Sequence, residues 1–104
     1  MERLPVASLK EFPVGAMKRV DADGDDVLLV HLADGVYAID DICTHGRVSL
    51  ADGWLEGEGI VCCPKHGGKF DVRTGKAVAF PAISPLRRYQ VVQDGDVVYL
   101  ELTD

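Results

Sequence analysis

Two short segments of the 104-residue chain place a cysteine close to a histidine. The first segment reads Cys43-Thr44-His45-Gly46, and the second reads Cys63-Pro64-Lys65-His66-Gly67-Gly68. The stretch between them contains an Asp-Gly turn and a short apolar run, so it can fold back on itself. Two thiolates and two imidazoles would then converge at one end of the fold. Such a donor set suits zinc or an iron–sulfur centre.

The spacing of these ligands bears on which metal they hold. Zinc modules typically pair like ligands, Cys with Cys and His with His, at wider spacing. Here each pair is mixed, and a single residue separates the first pair. Mixed pairs suit a two-iron cluster in which the cysteines hold one iron and the histidines the other. A structural zinc stays open as an alternative.

With these motifs the chain resembles the Rieske-type 2Fe–2S ferredoxins of bacterial systems that hydroxylate aromatic rings. The family pattern is Cys-x-His, a spacer, and then Cys-x-x-His, and this sequence supplies all four ligands. The resemblance implies one 2Fe–2S cluster, with Cys43 and Cys63 on the inner iron and with His45 and His66 on the outer iron.

The resemblance extends over essentially the whole chain. Residues 37–42 and 70–75 match the family's flanking segments, and residues 80–85 match a proline-rich loop that covers the cluster. It implies a single domain over 1–104. Within that domain a basal β subdomain covers about 1–40 and 86–104, and a cluster-binding subdomain covers about 41–85.

The family resemblance implies an electron carrier that transforms no substrate and is therefore not an enzyme. Ferredoxins of this kind take single electrons from an NAD(P)H-dependent flavoprotein reductase. They pass these electrons to a terminal Rieske non-haem iron oxygenase, an aromatic-ring dioxygenase. The small Rieske-like subunit of an assimilatory nitrite reductase, the Rieske domain of an oxygenase and a non-redox zinc module are the alternatives. The second of these needs a far longer chain.

The sequence also bears on the reduction potential. Respiratory members of the family carry an additional cysteine in each cluster loop, where this chain has Val48 and Lys65. Those members also carry hydroxyls that donate to the cluster sulfurs, where this chain has Gly68 and Phe70. With fewer donors, we expect a potential in the lower part of the roughly −150 to +300 mV Rieske range.

Composition and charge limit the possible partners. Eleven basic and seventeen acidic side chains give a net charge of −6, which argues against a nucleic-acid backbone as partner. No apolar run is long enough to span a membrane, and no signal-peptide pattern is present. The odd number of cysteines favours a reducing compartment, so we expect a cytoplasmic protein. We also expect it to be a monomer. Arg47, Lys65 and Lys69 serve either solubility or a basic rim for docking.

The elements that position these residues are predicted to be strands. Asp-Gly pairs at 23–24, 34–35 and 94–95 lie between apolar runs and predict hairpins. The predicted strands are 4–7, 17–20, 27–32, 36–39, 59–62, 89–92 and 97–100. No 3.6-residue period is sustained. The pattern predicts an all-β fold, a small antiparallel β-sandwich or barrel with a cluster-binding subdomain.

Several residues near the motifs have less specific interpretations. Cys62 is expected to point away from Cys63 and to pack in the core as a small hydrophobe. Trp54 either flanks the cluster or packs in a hydrophobic patch, and the second is expected. Asp40 and Asp41 are expected to form a solvated strand end. No role is predicted for His31.

Overall fold

The computed structural model describes residues 2–43, 48–65, 67–79 and 84–102. Within these ranges the chain forms ten β-strands, one short 3₁₀ helix at Leu50–Asp52 and no α-helix. The strands are β1 (Glu2–Ser8), β2 (Met17–Ala22), β3 (Asp25–Leu32), β4 (Gly35–Asp40), β5 (Trp54–Glu56), β6 (Ile60–Cys62), β7 (Lys69–Asp71), β8 (Ala77–Ala79), β9 (Arg88–Asp94) and β10 (Val97–Leu102). Over the same ranges, no helix is long and apolar enough to cross a membrane.

The strands form two antiparallel sheets. The larger sheet has the order β1-β10-β9-β4-β3-β2, and its edge strands β1 and β2 contact each other, so it nearly closes into a barrel. The smaller sheet has the order β5-β6-β7-β8 and lies in the chain between β4 and β9. The predicted all-β class and the antiparallel architecture are confirmed.

Strand β3 joins the two apolar cores. Val27 and Leu29 belong to the core inside the larger sheet, whereas Leu28 and Val30 belong to the core shared with the smaller sheet. All four side chains are fully buried. Because neighbouring strand residues face opposite sides, a strand buried on both faces needs a continuous apolar run. The unbroken run Val27–Val30 meets this need.

Three of the Asp-Gly pairs form the hairpin connections that the sequence predicts. The clearest joins β2 to β3, where Asp23 and Gly24 both have positive φ, 56° and 96°. The turn is tied further because Asp21 accepts a hydrogen bond from the Gly24 N–H at 2.8 Å. The pair Asp52-Gly53 differs, because it lies between the 3₁₀ helix and β5.

Gly53 is required by a close approach rather than by a hairpin. A Cβ at this position would collide with the carbonyl oxygen of Cys62. Residue 53 directly precedes β5, and Trp54 in that strand pairs with Cys62. The missing side chain therefore lets the backbone approach the strand that leads into the second cysteine motif.

Candidate metal centre

The two cysteine motifs begin with the same main-chain contact. The backbone N–H of Cys43 donates to the carbonyl of Val48 at 2.9 Å, and that of Cys63 donates to the carbonyl of Gly68 at 2.7 Å. Each hydrogen bond closes a six-residue loop that starts at the cysteine. We call these loops 43–48 and 63–68. The two cysteines thus occupy equivalent positions in two loops of equal length.

Both cysteine side chains point into one apolar core. Cys43 is 2% exposed and Cys63 is fully buried, and both belong to the core shared by the two sheets. Leu50, Val61 and Phe70 are buried in the same core. Two buried sulfur donors in two matching loops fit the cysteine side of an iron–sulfur cluster.

The histidine side of the predicted centre lies outside the described residues. This applies to His45 and His66, to Arg47, and to residues 80–83 of the proline-rich loop. The structure gives the start and the closing end of both loops. Among the described residues, no other group of His, Cys, Asp and Glu could hold a metal ion.

Glycine shapes the closing end of loop 63–68. Gly67 has φ of 75°, in the left-handed region that favours glycine, and its N–H donates to the Cys63 carbonyl at 3.2 Å. Cys62 pairs with Lys69 across β6 and β7, so the loop is the connection of a hairpin. The second cysteine is therefore held by sheet pairing on both sides of its loop.

Asp41 lies beneath the other loop and is fully buried. Its Oδ2 accepts a hydrogen bond from Ser49 Oγ at 2.6 Å, and its Oδ1 accepts one from the Ala51 N–H at 3.0 Å. The expectation of a solvated strand end is wrong for this residue. The chain leaves β4 here and returns directly over the carboxylate, which removes it from water.

Asp40 has hydrogen-bond partners that differ from those of Asp41. Its Oδ2 accepts from the Arg87 N–H at 3.1 Å, and its Oδ1 accepts from the Tyr89 hydroxyl at 2.7 Å. Arg87 also donates to the Tyr89 hydroxyl and lies over its ring. Burial and the bond to Asp40 raise the pKa of Tyr89 to about 12. Asp40 is half-buried rather than solvated, and it holds the start of β9 against the end of β4.

Cys62 and Trp54 occupy the outer face of the smaller sheet. Cys62 is fully buried but belongs to neither apolar core. Burial raises the pKa of its thiol, and the neighbouring Glu56 carboxylate raises it further. Trp54, the strand partner of Cys62, is 48% exposed. Cys62 is therefore buried, as predicted, but outside the two apolar clusters and beside Glu56 and Lys69, whereas the packing of Trp54 in a hydrophobic patch stays a prediction.

The basic residues near the loops are not equivalent. Lys65 is exposed in loop 63–68. Lys69 instead forms an ion pair with Glu56, at 2.7 Å between Nζ and Oε1. This contact raises the pKa of Lys69 and lowers that of Glu56. Among the described residues of the predicted rim, Lys65 alone presents an exposed side chain whose charge has no such partner.

Arg73 connects the smaller sheet to the β3–β4 hairpin. Its guanidinium donates to both carboxylate oxygens of Asp34, at 3.1 and 3.3 Å, and to the Glu58 carbonyl at 2.7 Å. It also lies over the Tyr37 ring, 5.4 Å from the centroid. These contacts hold the pKa of Asp34 below its usual range. Sequence reasoning missed this role, because nothing near Arg73 in the chain indicates its partners.

Comparison with known proteins places these features in a family. The profile described as "Rieske [2Fe-2S] domain" matches residues 2–90. The 3-phenylpropionate/cinnamic acid dioxygenase ferredoxin subunit of Photorhabdus laumondii is 36% identical over 104 residues, which is 100% of this chain and 98% of that protein. The ferredoxin of carbazole 1,9a-dioxygenase from Nocardioides aromaticivorans IC177 is 39% identical with a TM-score of 0.91, covering 96% of this chain and 97% of the other.

A second solved ferredoxin was captured with its oxygenase. It belongs to a complex of reduced oxygenase and oxidized ferredoxin in carbazole 1,9a-dioxygenase. This chain matches it at 34% identity and a TM-score of 0.88, over 94% of this chain and 91% of the other. A solved chain whose name suggests the small subunit of an NADPH nitrite reductase is 20% identical with a TM-score of 0.85, covering 98% of this chain and 100% of that one. That level of identity shows a common fold alone.

Proposed function

This chain belongs to the Rieske [2Fe-2S] domain family, and from that premise we propose that it is an electron carrier rather than an enzyme. In this proposal it accepts one electron from a flavoprotein reductase and passes it to the terminal oxygenase of an aromatic-ring dioxygenase system. The observation that carries the proposal is the pair of matching loops, each begun by a buried cysteine and closed by the same main-chain hydrogen bond.

Family membership confirms the predicted cofactor, a Rieske-type 2Fe–2S cluster. We propose Cys43 and Cys63 as ligands of the inner iron and His45 and His66 as ligands of the outer iron. When bound, the cluster supplies one-electron chemistry, taking up and releasing a single electron with no bond made in a substrate. The chain's own residues bury the two sulfurs and exclude water from them. The two loops fix where each sulfur lies.

The two proposed subdomains correspond to the two sheets. The basal subdomain, about 1–40 and 86–104, contains the strands of the larger sheet. The cluster-binding subdomain, about 41–85, contains β5 to β8 and both loops. Arg73 supports this division because it bridges the two parts through Asp34. A monomeric state and a cytoplasmic location stay predictions.

The oxygenase is proposed as partner because a related ferredoxin is found in complex with one. The reductase is proposed because a carrier needs an electron donor. The nitrite reductase alternative has weaker support, since the related chain is only 20% identical. The deciding measurement is reconstitution of this protein with each candidate oxygenase or reductase, in which electron transfer to a nitrite reductase alone would refute the dioxygenase assignment.

Spectroscopy of the purified protein tests the carrier function. We expect a red-brown protein with visible absorption in the oxidised state and a Rieske EPR signal after reduction. His45→Ala and His66→Ala should abolish or alter that signal, whereas Cys62→Ser should retain it. A colourless protein that binds zinc with the same four residues would refute the proposal.

A charge reversal tests the docking face. Lys65→Glu should slow electron transfer to the oxygenase and weaken its dependence on salt, because contacts between redox partners are small and partly electrostatic. Lys18→Glu is the matched control, since Lys18 is exposed on β2 and the variant changes the net charge equally. Stopped-flow rates across ionic strength give the comparison. Equal behaviour of Lys65→Glu and wild type at every salt concentration would refute the basic rim.

A further inference from the structure

We propose that Asp41 is a positioning residue that fixes the closing end of loop 43–48 and thereby the place of the Cys43 sulfur. The inference rests on the proposed function, because it assigns Asp41 a role toward the cluster that Cys43 helps to hold. Its basis is the geometry around a buried carboxylate that the sequence gives no reason to expect in the interior.

The backbone N–H of Asp41 donates to the Asp26 carbonyl at 3.0 Å, and its other hydrogen bonds reach the residues that follow the loop. Ser49 and Ala51 each donate to one carboxylate oxygen, at 2.6 and 3.0 Å, and the Leu50 N–H donates to the Asp41 carbonyl at 2.7 Å. An isolated β-bridge joins Ile42 to Ser49. Three consecutive residues after the loop are therefore tied back to one residue before it.

The two cysteine loops are held by different means. Loop 63–68 connects β6 to β7, and its ends are secured by three consecutive pairs of the sheet. Loop 43–48 leads instead from the end of β4 into a 3₁₀ helix, and outside the named strands its ends share one isolated bridge. At loop 43–48, the side chain of Asp41 supplies the contacts that strand pairing supplies at the other loop.

The Ala51 N–H needs an acceptor, whereas the Ser49 hydroxyl needs a hydrogen-bond partner of either kind. Both carboxylate oxygens of Asp41 accept hydrogen bonds, one from a hydroxyl and one from a backbone N–H. Without an acceptor, the N–H of the half-buried Ala51 would lose its hydrogen bond to Asp41, which is costly where water does not replace it. Asparagine keeps one acceptor and the same shape, and the Ser49 hydroxyl can turn to accept from its amide. Alanine keeps neither contact.

The experiment compares Asp41→Ala with Asp41→Asn in the cluster-loaded protein. Asp41→Ala should lose its visible absorption faster than wild type, on the order of 10-fold, because removing a group that orients metal ligands typically lowers metal affinity by about 10- to 100-fold. Its EPR lines should broaden because the loop adopts several positions. Amide hydrogen exchange over residues 48–51 should become faster. Asp41→Asn should behave like wild type in all three measurements.

Asp40→Ala is the matched control for hydrogen exchange. It removes the neighbouring carboxylate, whose partners are Arg87 and Tyr89. We expect faster exchange at the start of β9 and unchanged exchange over residues 48–51. Faster exchange over 48–51 in this variant would show that any loss of charge at the end of β4 loosens the loop, and it would overturn the assignment to Asp41.

Three further results decide the proposal. It is wrong if Asp41→Ala matches wild type in cluster loss and EPR linewidth, or if Asp41→Asn behaves like Asp41→Ala. If Asp41→Ala does not fold, Ser49→Ala decides, because it removes one of the two contacts and should show a smaller increase in both rates. Ser49→Ala at wild-type rates would then overturn the proposal. A wild-type protein without a 2Fe–2S spectrum would refute the proposed function instead. The amide exchange rates over residues 48–51 would then still test whether Asp41 fixes the closing end of loop 43–48.

Discussion

Phe70 offers a direct test of how the protein sets the potential of its cluster. The side chain is fully buried in the centre of β7 and belongs to the same apolar core as Cys43 and Cys63. Respiratory relatives are expected to carry a hydroxyl at this position. We predict that Phe70→Tyr raises the reduction potential by several tens of millivolts, because the new hydroxyl donates to a sulfur in this core.

The size of the expected shift in potential follows from the strength of a hydrogen bond to a buried sulfur. A hydrogen bond to a charged acceptor contributes about 1.5–3 kcal/mol. A bond made only in the reduced state would raise a one-electron potential by roughly 65–130 mV, since about 59 mV corresponds to a factor of ten. The hydroxyl would also contact the oxidised state, so only part of this difference is expected. Solvent does not weaken the bond, because both cysteines are at most 2% exposed.

Phe12→Tyr is the matched control. Phe12 is 3% exposed, lies in the other core and packs against the His31 ring with centroids 5.6 Å apart. A hydroxyl there has no sulfur to meet. We expect an unchanged potential and a loss of about 1–3 kcal/mol of stability, the cost of a buried polar group without a partner.

Protein-film voltammetry measures both potentials, and urea unfolding measures both stabilities. We expect a shifted potential with little loss of stability for Phe70→Tyr, and the opposite combination for Phe12→Tyr. A hydroxyl–sulfur bond at residue 70 is refuted if Phe70→Tyr loses stability at an unchanged potential, or if both variants shift the potential equally.

Three other predictions concern stability and the remaining thiol. Leu50→Ala should lower the free energy of unfolding by about 2–5 kcal/mol, because Leu50 is fully buried after loop 43–48. In the same urea titration, Val78→Ala should change the free energy of unfolding by less than about 0.5 kcal/mol, because the Val78 side chain is 52% exposed. Folding raises the pKa of Tyr89 from 10.0 to about 12 and so favours its neutral form. The stability that this shift contributes is complete below pH 10 and is lost as the pH rises through 12. The free energy of unfolding should therefore fall more steeply over this range in wild type than in Tyr89→Phe. Cys62→Ser should keep the visible and EPR spectra, and loss of the cluster in that variant would contradict the ligand assignment.

Much of the fold could be predicted from local pattern. The run Val27–Val30 indicates a strand buried on both faces, and Asp-Gly pairs mark the turns at both of its ends. Strands β5, β7 and β8 have three residues each, which is too short for an alternating pattern, and unlike β6 they lie in no predicted apolar run. They exist because β5 and β7 pair with β6 and β8 pairs with β7, and that pairing joins segments the sequence does not mark as partners.

The parts of the site that could not be predicted depend on contacts between distant segments. Asp40 and Asp41 are adjacent and acidic, and on local pattern they belong in water. Yet Asp40 bonds to Tyr89, 49 positions away, and Asp41 bonds to Ser49, eight positions away across the loop. Lys69 likewise meets Glu56 only because of the register of the smaller sheet. By contrast, the cysteine spacing was informative because the two loops are closed locally.

The protein thus brings two cysteines to one core by two unlike routes. Cys63 arrives by strand alternation, since Val61 and Cys63 face the core while Cys62 between them faces away. Many backbone contacts share that task, so the loop after Cys63 should tolerate the loss of any single side chain other than the proposed ligand His66. Cys43 arrives after β4 has ended, and one buried carboxylate holds the returning chain. Among residues that are not proposed ligands, the cluster should therefore be most sensitive to mutation of Asp41, on the side of the site with fewer backbone pairs.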